Sequence, residues 1–489
     1  MSFSPKLAGL SPSRVPRQVP LWINGTTRTT AKAFPVRSTL TEKTIYQCSN
    51  ASVADADDAL ASAVMAFPLW AQTKPAARRD VFLTAADLVD KRRERLENTL
   101  REELGTSAEF ARMNTATAAE MLRDAGGRLA HTLTGQIPHP QKAGQSALLY
   151  RAPYGVVLGI APWNAPYLLG VRACLYPIAA GNTCLLKGSE LSPGCFHHIG
   201  EIFHDAGLPA GVLNLLYTTR ADSAVVTNHL IRAHPVRKVN FTGSSAVGAL
   251  VAAEAAKSLK PALMELGGKT SAIILEDADI RLAARECIKG AFINSGQACM
   301  STERILVARK ILGPFRRALL EEVARWKSAA DTPCILIQQA AVARNQRLAQ
   351  DAVSKGASLL SGGPDSSEKF QLRLQPMVLE GVDKRMDIYY EESFGPLVSL
   401  YTVDTEEEAV VLANDTEYGL SCSLFTADLA KGLRLARRID SGAIHINSMS
   451  VHDEAALPHG GQKSSGWGRF NGEWGLHEFL QSKTVTYLD

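Results

Sequence analysis

Residues 238–257 read KVNFTGSSAVGALVAAEAAK, and this stretch sets the fold class. KVNFT is short and largely apolar, the segment from Gly243 to Gly248 is a turn, and the Ala-rich tail carries helix formers. A glycine-bearing turn from strand to helix lets backbone N–H groups approach a pyrophosphate at the positive end of the helix dipole. The spacing is not GxGxxG, so the ordinary dinucleotide fingerprint is absent, and alone the stretch reads equally as a glycine turn.

Upstream of this stretch the same grammar repeats. VVLGI (156–160), TCLLK (183–187) and VLNLLY (212–217) are continuous apolar runs separated by helix-compatible segments. Such runs, without polar alternation, predict strands buried on both faces, hence a parallel sheet flanked by helices, whose ligands bind at the carboxyl ends of the strands. Residues 53–130 carry helical spacing, and Pro and Gly break that pattern across 134–155. Beyond residue 270 a second alternation follows, RILVA, LVSLYTV, SCSLFT and GAIHIN, interrupted by the Gly/Ser-rich SGGPDSSEKF. Two α/β lobes are expected.

Composition sets further bounds. A chain of 489 residues exceeds what one core usually supports. The net charge of +4 includes no basic block, which argues against nucleic acid as a partner. The cysteines 48, 174, 184, 195, 287, 299, 334 and 422 lack zinc-site spacing or disulfide density, as in a reducing compartment. With no membrane-length apolar run and no secretory leader, a soluble cytoplasmic protein is expected. The acid-free, Arg- and Lys-bearing N-terminus leaves a mitochondrial alternative, opposed by Pro5, Pro12, Pro16 and Pro20, which break the helix a transit peptide needs.

Several short motifs carry chemistry. APWNAP (161–166) holds the Asn164 amide on a stiff turn, suited to stabilising an oxyanion, although an Asn there also serves simply as a turn residue. MELGGKT (264–270) sets Glu265 in an apolar run, where an unpaired carboxylate should have a raised pKa and act as a general base; a salt-bridged structural Glu is the other reading. LLKGSE (185–190) ends a strand with Lys187 and Glu190, a pair suited to ribose hydroxyls that favours NAD over NADP, or else a solvated surface pair. CFHHIG (195–200) lacks a second ligand pair, so no metal site is expected. INSGQACMSTERI (293–305) places Cys299 among Gly, Gln, Ser and Thr, where a packing cysteine would usually sit among aliphatic residues.

Taken together and in order, PWNAP, LLKGSE, FTGSSAVG, MELGGK, SGQAC, EESFGP, NDTEYGL and GWGRFNG resemble the aldehyde dehydrogenase superfamily over essentially the whole chain. NAPYLLGVRA, QACMSTERILV and HINSMSVHDEAALPHGG look most like the salicylaldehyde and vanillin dehydrogenases, which oxidise aromatic aldehydes.

The resemblance implies a Rossmann-like NAD-binding domain (21–131 and 152–264), an α/β catalytic domain (265–469), an oligomerisation β-flap (132–151 and 470–489) and an N-terminal extension (1–20). It implies that Cys299 attacks the aldehyde carbon, that the thioester is hydrolysed by water activated by Glu265, and that Asn164 with the Cys299 N–H forms the oxyanion hole. Polar surroundings are expected to keep the Cys299 thiol accessible and its pKa low.

Cofactor contacts are implied for Trp163, Lys187, Glu190, Gly243, Ser244, Gly248, Gly267, Glu392 and Phe394, and a substrate tunnel for Tyr167, Leu168, Arg172 and Met300. Where many family members have an aromatic residue followed by Lys, this chain has Arg172 and Ala173; Arg172 is expected to bond a ring substituent or to order the catalytic water. The implied activity is NAD-dependent oxidation of an aromatic aldehyde to its acid by a homodimer or homotetramer, with NADP still open. The alternatives are an aliphatic or semialdehyde dehydrogenase and a catalytically silent scaffold.

Overall fold

A computed structural model describes residues 17–329, 334–363 and 371–488. Most of the N-terminal extension and of the SGGPDSSEKF segment lies outside the described residues.

The strand expected at KVNFT spans Val236–Thr242 and feeds helix Ser245–Lys257 through the glycine turn. It sits within an eight-stranded sheet in the order Gly466–Trp467, Ala262–Glu265, Val236–Thr242, Val156–Ile160, Thr183–Lys187, Leu213–Leu216, Leu21–Ile23, Thr26–Arg28. From Ala262–Glu265 to Leu213–Leu216 every pairing is parallel. The chain enters this parallel block at Val156–Ile160, builds outward one way, then crosses back to pair Val236–Thr242 on its other side. That reversal opens a crevice at the carboxyl ends of the two central strands, the place where open α/β sheets bind ligands.

The second sheet has seven strands: Ser358–Ser361, Met377–Glu380, Leu397–Val403, Thr302–Ala308, Thr270–Ile274, Ser421–Phe425 and Ala443–Ile446. All its pairings are parallel except the first. Its residues divide by period two: Ile273, Leu306 and Leu424 pack in one core, while Ala272, Ile274, Ile305, Val307 and Phe425 pack in another. A sheet covered on both faces requires this, and it is why these strands read as unbroken apolar runs.

The helical stretch of residues 53–130 resolves into Val53–Gln72, Pro75–Lys91, Arg93–Leu104 and Ala108–Thr132. Ser52 and Asp55 form a reciprocal capping box at the first, and Ser107 caps the last. Trp70 Nε1 donates to Ile178 O at 2.8 Å and ties this layer to helix Pro166–Ala179. Apart from the main body, Gln145–Pro153 and Leu480–Leu488 form a two-stranded antiparallel ribbon.

Candidate active site

Four of the expected residues stand at the carboxyl edge of the parallel block because each ends or follows one of its strands. Lys187 closes Thr183–Lys187, Glu265 closes Ala262–Glu265, Asn164 follows Val156–Ile160, and Ser244 follows Val236–Thr242. Gly243 N donates to Glu265 O at 3.1 Å, fastening the glycine turn to the strand that carries the carboxylate.

Cys299 arrives from the second sheet on a strained loop. Asn294, Ser295 and Gly296 all have left-handed backbone, with φ of 48°, 60° and 73°. Side chains other than glycine adopt this region at a cost of roughly 1–2 kcal/mol each, so the surroundings must hold it. Asn294 Nδ2 donates to Asn164 O at 3.2 Å, Asn294 Oδ1 accepts from Thr106 at 2.9 Å, and Ile337 N donates to Gln297 Oε1 at 2.9 Å. At Gly296 a Cβ would lie 2.1 Å from Gly395 O, so no larger residue fits. Asn164 Nδ2 donates to Gln297 O at 3.1 Å, which uses one of its two amide hydrogens and leaves the other to donate elsewhere.

The electrostatics correct two expectations. Burial does pull the Glu265 carboxyl upward, but His459, Arg172 and the Cys299 thiol outweigh it and hold the group below the usual carboxylate range. The Cys299 thiol is half-buried rather than solvated, and burial together with the Glu265 charge pushes its pKa well up. The two shifts run in opposite directions and favour a carboxylate beside a neutral thiol.

On the cofactor side, Ser244 caps helix Ser245–Lys257 by accepting from Val247 N, and Val247 and Leu250 leave apolar surface exposed on its first turns. Gly248 packs the same helix against Leu266. Lys187 is buried, which lowers its pKa against the pull of Glu190. Glu392 Oε1 accepts from Gly268 N at 2.9 Å, and a Cβ on Gly267 would meet that carboxylate at 2.5 Å. Burial and the Glu303 charge push the Glu392 pKa up to about 8. The Trp163 and Phe394 rings meet edge to face at 6.0 Å. A helix N-terminus with a hydroxyl cap, an edge of bare apolar side chains, an aromatic pair and a carboxyl group with no ion pair among the described residues fit a nicotinamide dinucleotide.

The tunnel residues part company. Met300 O, next to Cys299 in the chain, accepts from Ser450 Oγ at 2.7 Å. Tyr167 turns its hydroxyl to His198 Nδ1 at 3.0 Å, and the backbone N–H groups of Tyr167 and Leu168 both donate to Asn114 Oδ1. Arg172 is fully buried, ion-paired with Asp453 and stacked over Phe470, while its Nε and Nη1 have no hydrogen-bond partner among the described residues.

The sequence reading assigned no role to His459, Asp453, Lys269 or Glu303. His459 Nε2 lies 3.7 Å from Glu265 Oε1. Lys269 and Glu303 form a buried ion pair at 2.5 Å beneath the loop that carries Glu392. Among the described residues no group of His, Cys, Asp or Glu is arranged to hold a metal, and no helix is long and apolar enough to cross a membrane.

A thiol, a buried carboxylate and a glycine turn at a helix N-terminus thus meet at one sheet edge, and residues 22–485 match the aldehyde dehydrogenase family. The chain belongs to the aldehyde dehydrogenase family. It is 41% identical over 475 residues to a vanillin dehydrogenase of Pseudomonas fluorescens, covering 96% of this chain and 97% of that one. The structure of a salicylaldehyde dehydrogenase from Pseudomonas putida G7, complexed with salicylaldehyde, superposes with a TM-score of 0.92 at 35% identity, covering 96% of this chain and 98% of that one. A betaine aldehyde dehydrogenase from Staphylococcus aureus in complex with NAD+ superposes with a TM-score of 0.90 at 28% identity, covering 96% of this chain and 94% of that one. The chain is an aldehyde-oxidising oxidoreductase with the mixed α/β aldehyde dehydrogenase fold and a nicotinamide cofactor.

Proposed function

We propose that this aldehyde dehydrogenase oxidises aromatic aldehydes with NAD, using Cys299 as nucleophile, Glu265 as base and Asn164 with the Cys299 N–H as oxyanion hole. The observation that carries this reading is the meeting of Cys299, on its strained loop, with the buried Glu265 that closes strand Ala262–Glu265 at the carboxyl edge of the sheet. As Sγ bonds to the aldehyde carbon, the thiol proton passes to Glu265. The oxygen takes on negative charge and accepts from the spare Asn164 amide hydrogen and the Cys299 N–H. The bound nicotinamide supplies the hydride acceptor. Glu265 then takes a proton from the water that opens the thioester.

For the cofactor, Ser244 and the first turn of its helix serve the pyrophosphate, Lys187 and Glu190 the adenosine ribose, and Glu392 with Phe394 the nicotinamide end. Glu190 beside the ribose favours NAD, because a carboxylate repels a 2′-phosphate. The 41% identity to a vanillin dehydrogenase and the likeness to a salicylaldehyde complex support the aromatic substrate. The two unpartnered donors of Arg172 suit an oxygen substituent on the ring.

Initial rates of NADH formation with salicylaldehyde, vanillin, benzaldehyde and hexanal test the substrate class, with NADP run in parallel. Aromatic aldehydes are expected to exceed hexanal in kcat/KM by at least about tenfold, the scale of hydrophobic-pocket discrimination. A preference for hexanal would move the assignment to the aliphatic or semialdehyde class.

The same reading makes the protein a homodimer or homotetramer. A two-stranded ribbon is marginal by itself in water, and Leu480–Leu488 pairs on one side only among the described residues while exposing Val485, Tyr487 and Leu488. Pairing of this edge with a second copy would cover it. Truncation before Lys483 is expected to yield monomers by light scattering; a truncated chain that remains oligomeric would refute the assignment.

A further inference from the structure

A carboxylate that accepts protons must lose them again, and Glu265 is only 1% exposed, so it has no direct contact with bulk water. Each turnover loads it twice: once with the thiol proton during attack and once with a proton from the hydrolytic water. If the first is not cleared, the base is unavailable for the second.

One route leads outward. His459 Nε2 stands 3.7 Å from Glu265 Oε1, and His459 Nδ1 stands 3.9 Å from Asp453 Oδ1. Both distances lie within ion-pair range, and closing either to hydrogen-bond length needs a shift of about 1 Å. The His459 backbone is pinned on both sides, its N–H donating to Phe470 O at 3.0 Å and its carbonyl accepting from Phe470 N at 2.8 Å. Asp453 is held by Arg172 on one oxygen and by Asn471 Nδ2 at 2.8 Å on the other. Beyond it opens a cavity lined by Thr117, Glu120, Asp124, Asp453 and Glu454.

We propose that His459 receives the protons that Glu265 collects and passes them along Asp453 to this cavity, resetting the base within each turnover. The proposal rests on the reading of Glu265 as the base. His459 thus stands with Nε2 toward Glu265 and Nδ1 toward Asp453, one ring nitrogen facing the base and the other the exit, as a proton carrier requires. The balance closes over one cycle. The thiol proton leaves through Glu265. In hydrolysis the water oxygen bonds to the acyl carbon, the C–S bond breaks with its electron pair going to sulfur, and one water proton moves to Glu265 while the other stays on the product acid. That acid reprotonates the Cys299 sulfur as it ionises, and the second proton leaves by the relay. His459 is thus a positioning residue that acts through Glu265. The charged and titratable groups around it are Glu265, Asp453 with Arg172 behind it, Glu454, His452 and His445.

The test compares His459→Gln, which keeps an amide near Nε2 but cannot titrate, with His459→Phe and Glu265→Gln. Rapid-quench intact mass and stopped-flow NADH formation are read with an aldehyde the wild type turns over. The first attack needs no reset of the base, so both His459 variants are expected to keep the NADH burst, His459→Gln most fully because its amide can still donate to Glu265 and hold it ionised. Their steady-state kcat should fall at least about tenfold, and acyl-enzyme should accumulate. Unchanged kcat, or loss of the burst together with the steady-state rate, would overturn the relay. If Glu265→Gln turns over at the wild-type rate, the base assignment fails; if it stalls while His459→Gln does not, only the relay fails. Should neither His459 variant fold, Asp453→Asn decides: a retained burst with slowed turnover supports the relay, and unchanged kcat refutes it.

Discussion

Replacing Cys299 by alanine is expected to reduce NADH formation by about 10⁴-fold or more, the scale seen when a covalent nucleophile is removed. The fold should survive, because Cys299 is half-buried and the change removes one sulfur from the edge of a core, which costs about 1 kcal/mol or less. Thermal unfolding and NAD binding should therefore stay near wild type while turnover disappears. Cys334 supplies the control. It is the other half-buried cysteine, its pKa pushed up to about 11 by burial, with no carboxylate among the groups acting on it. Cys334→Ala is expected to leave the rate within about twofold of wild type. A high pKa alone thus does not separate the two thiols; what separates them is the Glu265 carboxylate beside Cys299. Equal losses in the two variants, or turnover persisting in Cys299→Ala, would remove the nucleophile assignment.

The strands were legible because burial on both faces leaves continuous apolar runs, as in VVLGI and TCLLK, and the glycine turn after KVNFT marked the crevice. Cys299, Asn164 and Glu265 were legible as residue types because each sits in a motif whose local composition is odd for packing. Their protonation states were not. The sign of the Glu265 shift depends on His459 and Arg172, which reach it from distant parts of the chain, and an apolar sequence neighbourhood reports burial without reporting counter-charges. The same limit hid the Glu303–Lys269 pair. STER and GGKT are unremarkable polar stretches until Thr270 and Thr302 meet in register across neighbouring parallel strands. Lys269, which precedes the first of these threonines, and Glu303, which follows the second, then share one buried site.

That pair supports the second large effect. Glu303→Ala is expected to destabilise the protein by about 3–5 kcal/mol, the cost of leaving one member of a buried ion pair alone, and to raise the KM for NAD in any fraction that folds. Glu303 is 4% exposed and anchors the loop that carries Glu392. It accepts from Ser393 N at 2.7 Å, Ser393 Oγ at 2.8 Å and Phe394 N at 3.2 Å, while Lys269 Nζ also donates to Glu391 O at 2.7 Å. Phe394 has a left-handed φ of 44°, strain that persists only while these bonds hold it. Glu303→Gln separates hydrogen bonding from charge. Its amide oxygen can still accept from Ser393 and Phe394, but Lys269 loses its counter-ion. Burial already lowers the Lys269 pKa from 10.5, and removing the carboxylate lowers it further. Between that depressed value and 10.5 the folded variant binds fewer protons than the unfolded chain, so its stability rises with pH across this window. The deficit of Glu303→Gln relative to wild type should accordingly shrink as pH rises, measured as the difference in urea midpoint across a pH series. A deficit that stays constant would mean that the pair's charge contributes nothing and that Glu303 serves the loop through hydrogen bonds alone.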